Sequence, residues 1–499
     1  MSIEQTAKQG EGRTVSVGGP ELYPDPLDVG GFLAVYRGNQ PQSDAERNSD
    51  SHRITRVLIQ SNSDVSEEVA ALRFPSAEIC ICSAEELSAI LSRQPYPAWL
   101  RPERNVSEIE AGRYLQIRPV TAEVVPTLNC CFRCSQCSYG PPKDAEGVWR
   151  SKDGLTFAED SASLRHHMTA EAMDAVLEAL VNGGVSNILF TGGGEPMANY
   201  TVLLRGLQRA TALGAATFLY TNGFLLSPAR TAEVLAASPR LIRVSIYGTS
   251  PSSFARYTGK KEAGYERVLR NVAELVDANC ERQGQTLLAL SFIVHPVTMS
   301  DIDGLSESLR ANLGEDRLRK LAYVRFTPAV DYYGGSQHDR RWMTDVFAYI
   351  EQELTPQLRG IAAIEPYLHR LRDLYNHEKP YPSCLASGWF AEVAPNGDVY
   401  LCCEKIFNHD FLIGNLLRDS LEQIYAGDRR KAILASLAAS NCKGCPPVCK
   451  PHEFNKTFAR VEALRAAGQM QEFAAWREAM DRLHTSETFL PGPLNAIES

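Results

Sequence analysis

The sequence predicts an α/β fold in which a parallel sheet with helical crossovers is preceded by a smaller α/β unit and followed by a cysteine-rich extension. Three observations carry this. Short apolar runs at 123–126, 187–191, 217–221, 241–247, 287–294 and 321–327 alternate with amphipathic stretches near 169–182, 200–212, 228–236, 264–278 and 302–313. That is the rhythm of repeated βα units with right-handed crossovers. Gly- and Asn-rich phrases fall where those runs end, the side on which open α/β sheets place their sites. At 499 residues and 44% apolar content, the chain can bury cores for two or three domains.

Taken in order, residues 1–25 are polar and are expected to be a mobile tail. Residues 26–115 read as an accessory α/β domain and linker. Runs 32–36, 56–60 and 78–82 are strand-like, 66–72 and 84–91 are helix-like, and Pro95, Pro97 and Pro102 mark the linker. Cys80 and Cys82 alternate on one strand and read as a buried face. An exposed strand edge there would suit a docking peptide, and a cap over the core is the other reading. The core domain spans 116–345, with the polar insertion 140–167 expected as a lid. His166 and His167 within it read as solvated or capping residues. Residues 375–450 carry six cysteines, and 451–499 form amphipathic helices expected to pack on the core.

Cys130, Cys134 and Cys137 stand in the pattern CxxxCxxC. Three thiolates so close in sequence suit three corners of a [4Fe–4S] cube and leave the fourth iron open for a chelating ligand. A zinc knuckle or a set of buried free thiols is the plainer reading. Gly192, Gly193 and Gly194, followed by Glu195, end the second run, and glycine lets backbone amides approach a ligand closely. Asn222 ends the third run and Ser245 lies at the end of the fourth, where ordinary turn chemistry is the alternative. Lys260 and Lys261 either meet an anionic substrate or are simply solvated, and the loop Asp331–Gly335 either reaches the substrate or binds nothing.

Downstream, Cys384 and Cys402 flank two strand-like runs, 389–395 and 399–401, joined at Asn396 and Gly397. Asn-Gly between such runs signals a β-hairpin that brings the two cysteines together. Cys442 and Cys445 form a CxxC pair, and four thiolates from hairpin and loop close a metal site. Cys384, Cys402, Cys442 and Cys445 are the expected ligands, with Cys403 and Cys449 as rivals and structural zinc as the alternative occupant. Cys280 reads as a packing residue, and Cys131 as lying beside the cluster but pointed away by the neighbouring ligands.

CxxxCxxC behind a strand, followed by the phrase TGGGEP at 191–196, resembles the radical S-adenosylmethionine (SAM) superfamily over about residues 120–450. The resemblance implies a partial (β/α)6 radical SAM barrel in which Cys130, Cys134 and Cys137 hold the cube and SAM chelates its fourth iron. An electron from the cube then splits SAM into methionine and a 5′-deoxyadenosyl radical, which takes hydrogen from the substrate. It further implies that Gly192, Gly193, Gly194 and Glu195 meet the amino group of SAM, and Asn222 and Ser245 its carboxylate or ribose. The family's aromatic residue before the third cysteine is Gln136 here, so Phe132 or Tyr139 is expected at adenine. A flavodoxin- or ferredoxin-type protein is the implied electron donor. Residues 384–449 are similar to the twitch or SPASM extension; six cysteines rather than seven imply one auxiliary [4Fe–4S] cluster. The stretch 192–294 also resembles the radical SAM deaminase of the desosamine pathway, which lacks those cysteines.

The expected function is therefore a radical SAM oxidoreductase that oxidises or epimerises a sugar or aminocyclitol in natural-product biosynthesis, with no catalytic side chain singled out. The alternatives are a maturase that cross-links or epimerises a ribosomally made peptide, a deaminase-like lyase on a nucleotide sugar, and a non-catalytic iron–sulfur electron carrier. A net charge of −9 argues against nucleic acid as a partner. No apolar run reaches membrane-spanning length, so no membrane is expected. Thirteen cysteines, most of them in two groups, suit ligands in a reducing cytoplasm.

Overall fold

The computed structural model describes residues 21–24, 31–36, 53–60, 77–82, 103–134, 137, 167–330, 339–366, 371, 374–375, 379–443, 445–446 and 449–484. Its contacts divide the chain into two units: residues 1–113 with 456–498, and residues 114–455.

In the first unit, β1 (Glu21–Pro24), β2 (Gly31–Tyr36), β3 (Arg53–Gln60) and β4 (Glu78–Cys82) form a four-stranded sheet in that order. β1 and β2 pair antiparallel; β2–β3 and β3–β4 pair parallel. β1 lies inside the stretch expected to be a mobile tail, so that expectation is corrected: ladder bonds to Phe32–Val35 order Glu21–Pro24 despite the polar composition around it. Helix α1 (Glu103–Glu110) occupies the end of the Pro-marked linker. The expected helices at 66–72 and 84–91 and the side chains of Cys80 and Cys82 lie outside the described residues.

The second unit is built on β5 (Thr121–Val124), β6 (Asn187–Phe190), β7 (Ala216–Thr221), β8 (Leu241–Ile246), β9 (Leu287–Val294) and β10 (Tyr323–Pro328). All are parallel and adjacent in sequence order, close to their expected places. The crossovers carry α2 (Ala170–Asn182), α3 (Tyr200–Ala212), α4 (Pro228–Ala236), α5 (Pro251–Thr258), α6 (Ala263–Glu281) and α7 (Leu305–Leu313). Their starts are chemically marked. Thr169, Ser227 and Ser250 each accept a hydrogen bond from the first turn, and Pro228 and Pro251 occupy a first-turn position that needs no amide donor.

Register sorts the strand residues onto two faces. Val124, Phe190 and Leu219 share the face covered by helices, where Gly206 of α3 lets Phe190 and Met173 approach closely. The opposite face is unusually polar: Glu123, Arg243, Ser245, Ser291 and Arg325 lie on it. A buried sheet face with charges on it is costly unless they are paired, so this face marks the functional side.

Three features were not expected. α5 follows β8 directly. β11 (Ile364–Pro366) adds a seventh parallel strand beside β10. Beyond β5, β12 (Phe390–Val393) pairs parallel with it, and β13 (Asp398–Tyr400) and β14 (Leu412–Asn415) follow antiparallel. The hairpin extension thus continues the core sheet, giving one open ten-stranded sheet.

Helix α8 (His452–Ala466) starts in the second unit, and from residue 456 it and α9 (Met470–His484) belong to the first. There Arg465 donates to the carbonyl of Glu110 at 2.5 Å, and Arg477 pairs with Glu110 at 2.7 Å. Cationic side chains tie these helices to the end of α1, while at the start of α8, within the second unit, Phe454 stacks on Phe390 of β12.

Candidate active site and metal centres

β5 leads straight into the cysteine loop, and the glycine run is docked on it. The carbonyls of Thr127 and Asn129 accept from Gly194 N–H and Glu195 N–H, both at 2.9 Å. A Cβ on Gly194 would lie 2.2 Å from the Asn129 carbonyl oxygen, and one on Gly193 would lie 2.5 Å from Leu128. Gly192 and Gly193 hold φ of 69° and 62°, the left-handed region that glycine tolerates. Close approach therefore serves the cysteine loop as much as any ligand.

Glu195 is buried, and its carboxylate accepts from Met197 N–H at 3.0 Å, the Thr221 hydroxyl at 2.6 Å and Asn222 N–H at 2.7 Å. Burial raises its pKa, and the three donors oppose that rise. The carboxylate thus pins the end of β7 to the end of β6 and presents Asn222 to the cysteines. The Asn222 amide donates to Cys131 Sγ at 3.4 Å and Cys130 Sγ at 3.8 Å. Phe132 N–H donates to Cys130 Sγ at 3.4 Å, and Cys137 N–H donates to the Cys134 carbonyl at 3.3 Å. Burial pushes the Cys134 thiol up, and the neighbouring Cys137 adds to it. Ser245, on the polar sheet face, hydrogen-bonds the hydroxyl of the partly buried Tyr247.

The second group gathers round the hairpin. Gly397, at φ 83°, donates to Ala394 at 2.9 Å, and Ala394 donates to Asp398 at 2.9 Å, closing the expected Asn-Gly turn. Cys384 enters this region and Cys402 leaves it. Asn455 donates to Cys384 Sγ at 3.3 Å, and Cys445 N–H donates to the Cys442 carbonyl at 3.1 Å. Burial raises the thiols of Cys384, Cys402 and Cys449, a hydrogen bond with Cys445 raises Cys442, and the negative fields of the neighbouring cysteines add to each. Cys403 differs. After burial, the groups that push it up most are the carboxylates of Glu392 and Glu404, ahead of any cysteine.

Residues 124–309 match the radical SAM superfamily, and residues 384–446 match SPASM, an iron–sulfur cluster-binding domain. The chain carries a radical SAM domain. A SPASM domain follows it, and together they imply SAM and [4Fe–4S] clusters as cofactors. Among curated relatives, the PqqA peptide cyclase of Rhizobium meliloti is 27% identical over 270 residues, 52% of this chain and 66% of the relative. That of Ruegeria pomeroyi is 28% identical over 287 residues, 57% and 67% respectively. The similarity thus spans about two thirds of those relatives' length. Streptococcus suis SuiB is similar in structure, with 14% identity and a TM-score of 0.48 over 75% of this chain and 77% of that one.

The donor set of the radical SAM domain fits a thiolate-bound cube. Amide N–H groups of Phe132 and Asn222 are directed at sulfur, the arrangement that stabilises anionic thiolate ligands. Other expectations are corrected. Phe132 is 5% exposed and enclosed edge-on by Phe224, Tyr247 and Phe254, so it is core and not a free platform for adenine. Cys131 is not turned away: it shares a hydrogen bond with Cys130 that raises Cys130 and lowers Cys131. Cys280 is exposed on α6 instead of packed. His167 is exposed, its Nε2 2.9 Å from the Asn129 side-chain amide. Gln136, Tyr139, His166 and the loop Asp331–Gly335 lie outside the described residues.

Sequence reasoning missed Glu392 in the SPASM domain, and Lys450 and Asn455 just behind it. For Asn455 a signal existed, a polar residue on the apolar side of a helix just behind the cysteines. Among the described residues no helix is long and apolar enough to cross a membrane.

Proposed function

We propose that the protein is a radical SAM enzyme that matures a ribosomally made peptide by forming a cross-link, a net oxidation. The observation that supports this is the likeness to PqqA peptide cyclases in four bacteria, which runs through more than half of this chain in each. It favours the peptide reading over the sugar or aminocyclitol reading.

In this proposal Cys130, Cys134 and Cys137 hold the first cube. Backbone groups of Gly192, Gly193 and Gly194, together with Asn222 and Ser245, hold SAM, and Glu195 positions Asn222. Bound there, SAM supplies a radical able to remove hydrogen from an unactivated carbon. Cys384, Cys402, Cys442 and Cys445 hold the auxiliary cluster, with Cys449 beside them. The polar sheet face supplies fixed partners for a peptide: Arg243 lies 3.4 Å over the Tyr220 ring, and Arg325 pairs with Glu365 at 2.6 Å. A carbon–carbon cross-link removes two hydrogens from the peptide, so a reaction of this class consumes reducing equivalents only to start. A flavodoxin- or ferredoxin-type donor supplies that electron, in the cytoplasm where the thiols stay reduced.

The test is anaerobic incubation of the reconstituted enzyme with SAM, a reductant and, in turn, each short peptide encoded within a few genes of its own. The expected result is 5′-deoxyadenosine together with a peptide lighter by two hydrogens. An unchanged peptide, with 5′-deoxyadenosine formed only when a sugar or aminocyclitol is added, would overturn the reading.

A further inference from the structure

Glu123 on β5 and Glu392 on β12 are register partners across the junction of the two strands. Both are buried, at 5% and 1% exposed. Two carboxylates side by side in a dry interior repel each other strongly. One is compensated, since Lys450 Nζ contacts Glu123 Oε1. The other is not: Glu392 Oε1 is buried without a hydrogen-bond donor among the described residues. A buried acceptor in that state is destabilising, the more so when charged. Cys403 completes the group, and one ligand atom each from Glu123, Glu392 and Cys403 lie within 4.8 Å of one another.

We propose that Glu123, Glu392 and Cys403 form a mononuclear site for a borderline divalent cation, zinc(II) in class, distinct from both cysteine-rich centres. Zinc binds carboxylate oxygen at about 2.0–2.2 Å and thiolate sulfur at about 2.3 Å, so ligand atoms around one tetrahedral ion stand about 3.4–3.6 Å apart. The group therefore needs to contract by up to about 1.4 Å, within reach of side-chain rotation at two carboxylates and a thiol, to fit one ion. Two hard oxygens and one sulfur match an ion that accepts both donor types. Distinctness rests on geometry: among the described residues, the group within 4.8 Å of one another holds Glu123, Glu392 and Cys403 and no other cysteine. The cation would also give Glu392 the partner that the protein does not. Lys450 competes with it for Glu123.

The experiment is zinc and iron analysis of the reconstituted, full-length protein after equilibration with zinc and gel filtration. One zinc per chain is expected in the wild type, lost in Glu392→Gln and Cys403→Ser with the iron and sulfide content unchanged. Lys450→Met, which removes the competing ammonium, should bind zinc more tightly. Unchanged iron shows that the variants still fold and load their clusters. A wild type that retains no zinc, a Glu392→Gln variant that retains as much as the wild type, or loss of iron in Cys403→Ser would overturn the proposal. The last outcome would make Cys403 a cluster ligand instead.

Discussion

Single side chains set the geometry round the cysteine loop. Glu195 holds Met197, Thr221 and Asn222 with two oxygens, both facing donors. In Glu195→Gln one oxygen becomes an N–H group that must face another donor. The expected cost is about 1–3 kcal/mol in denaturant-induced unfolding, with weaker SAM binding because Asn222 loosens. Phe132 is the hydrophobic counterpart, buried under three aromatic rings. Phe132→Ala should cost about 3–5 kcal/mol and lower the iron retained after reconstitution, while Phe132→Leu keeps most of both. Protonation adds a pH term. Burial raises the Cys134, Cys384, Cys402 and Cys449 thiols in the metal-free protein. Raised pKa values mean that the folded state holds these protons more tightly than the unfolded chain does. Apo-protein stability should therefore fall as pH rises above about 8.5, where unfolded thiols ionise. Iron loading should improve over the same range, because ligation displaces those protons. Thermal melts and iron content across pH 7–10 check both signs.

At the scale of elements, the decisive contact is the glycine run against the cysteine loop. Gly194→Ala places a methyl 2.2 Å from the Asn129 carbonyl oxygen, and a backbone atom cannot swing aside as a side chain can. The loop should shift, and the variant should assemble less than the full iron complement while its helical circular dichroism stays near wild type. Much of this level was legible in the sequence. The six core strands showed because each is a short, mostly apolar stretch alternating with an amphipathic helical one, and the hairpin showed because Asn-Gly between two strand-like runs signals a tight turn. β11 was not, since Ile364–Pro366 is three residues long and ends in proline. Nor was the pairing of β12 with β5: a strand's own pattern says which face is buried, not which neighbour it will find. The roles of Glu195 and Phe132 escaped for the same reason, because a carboxylate aimed at a ligand and one that braces a turn look alike in sequence.

At the scale of the second unit, the two cysteine groups lie toward opposite ends of the β5–β12–β13 ladder. Cys130, Cys134 and Cys137 follow the end of β5, whereas Cys384 precedes the parallel β12 and Cys402 follows the antiparallel β13. If they hold separate cubes, a Cys130/Cys134/Cys137→Ala variant should keep about four of about eight irons per chain, each cube holding four. Iron and sulfide analysis decides it. A chain cut after residue 366 should lack the strand that covers β5, leaving an apolar edge open to pairing between molecules, and should aggregate on light scattering.

The β5–β12 ladder also sets an order of events during synthesis. Thr121 and Phe390 lie far apart along the chain, yet they are hydrogen-bonded neighbours. While the ribosome is still making the middle of the protein, β5 and the cysteine loop behind it have emerged but their covering strand has not. The loop stays without that covering strand, and open to the cell's cluster-delivery machinery, until residues 390–393 have been made and released.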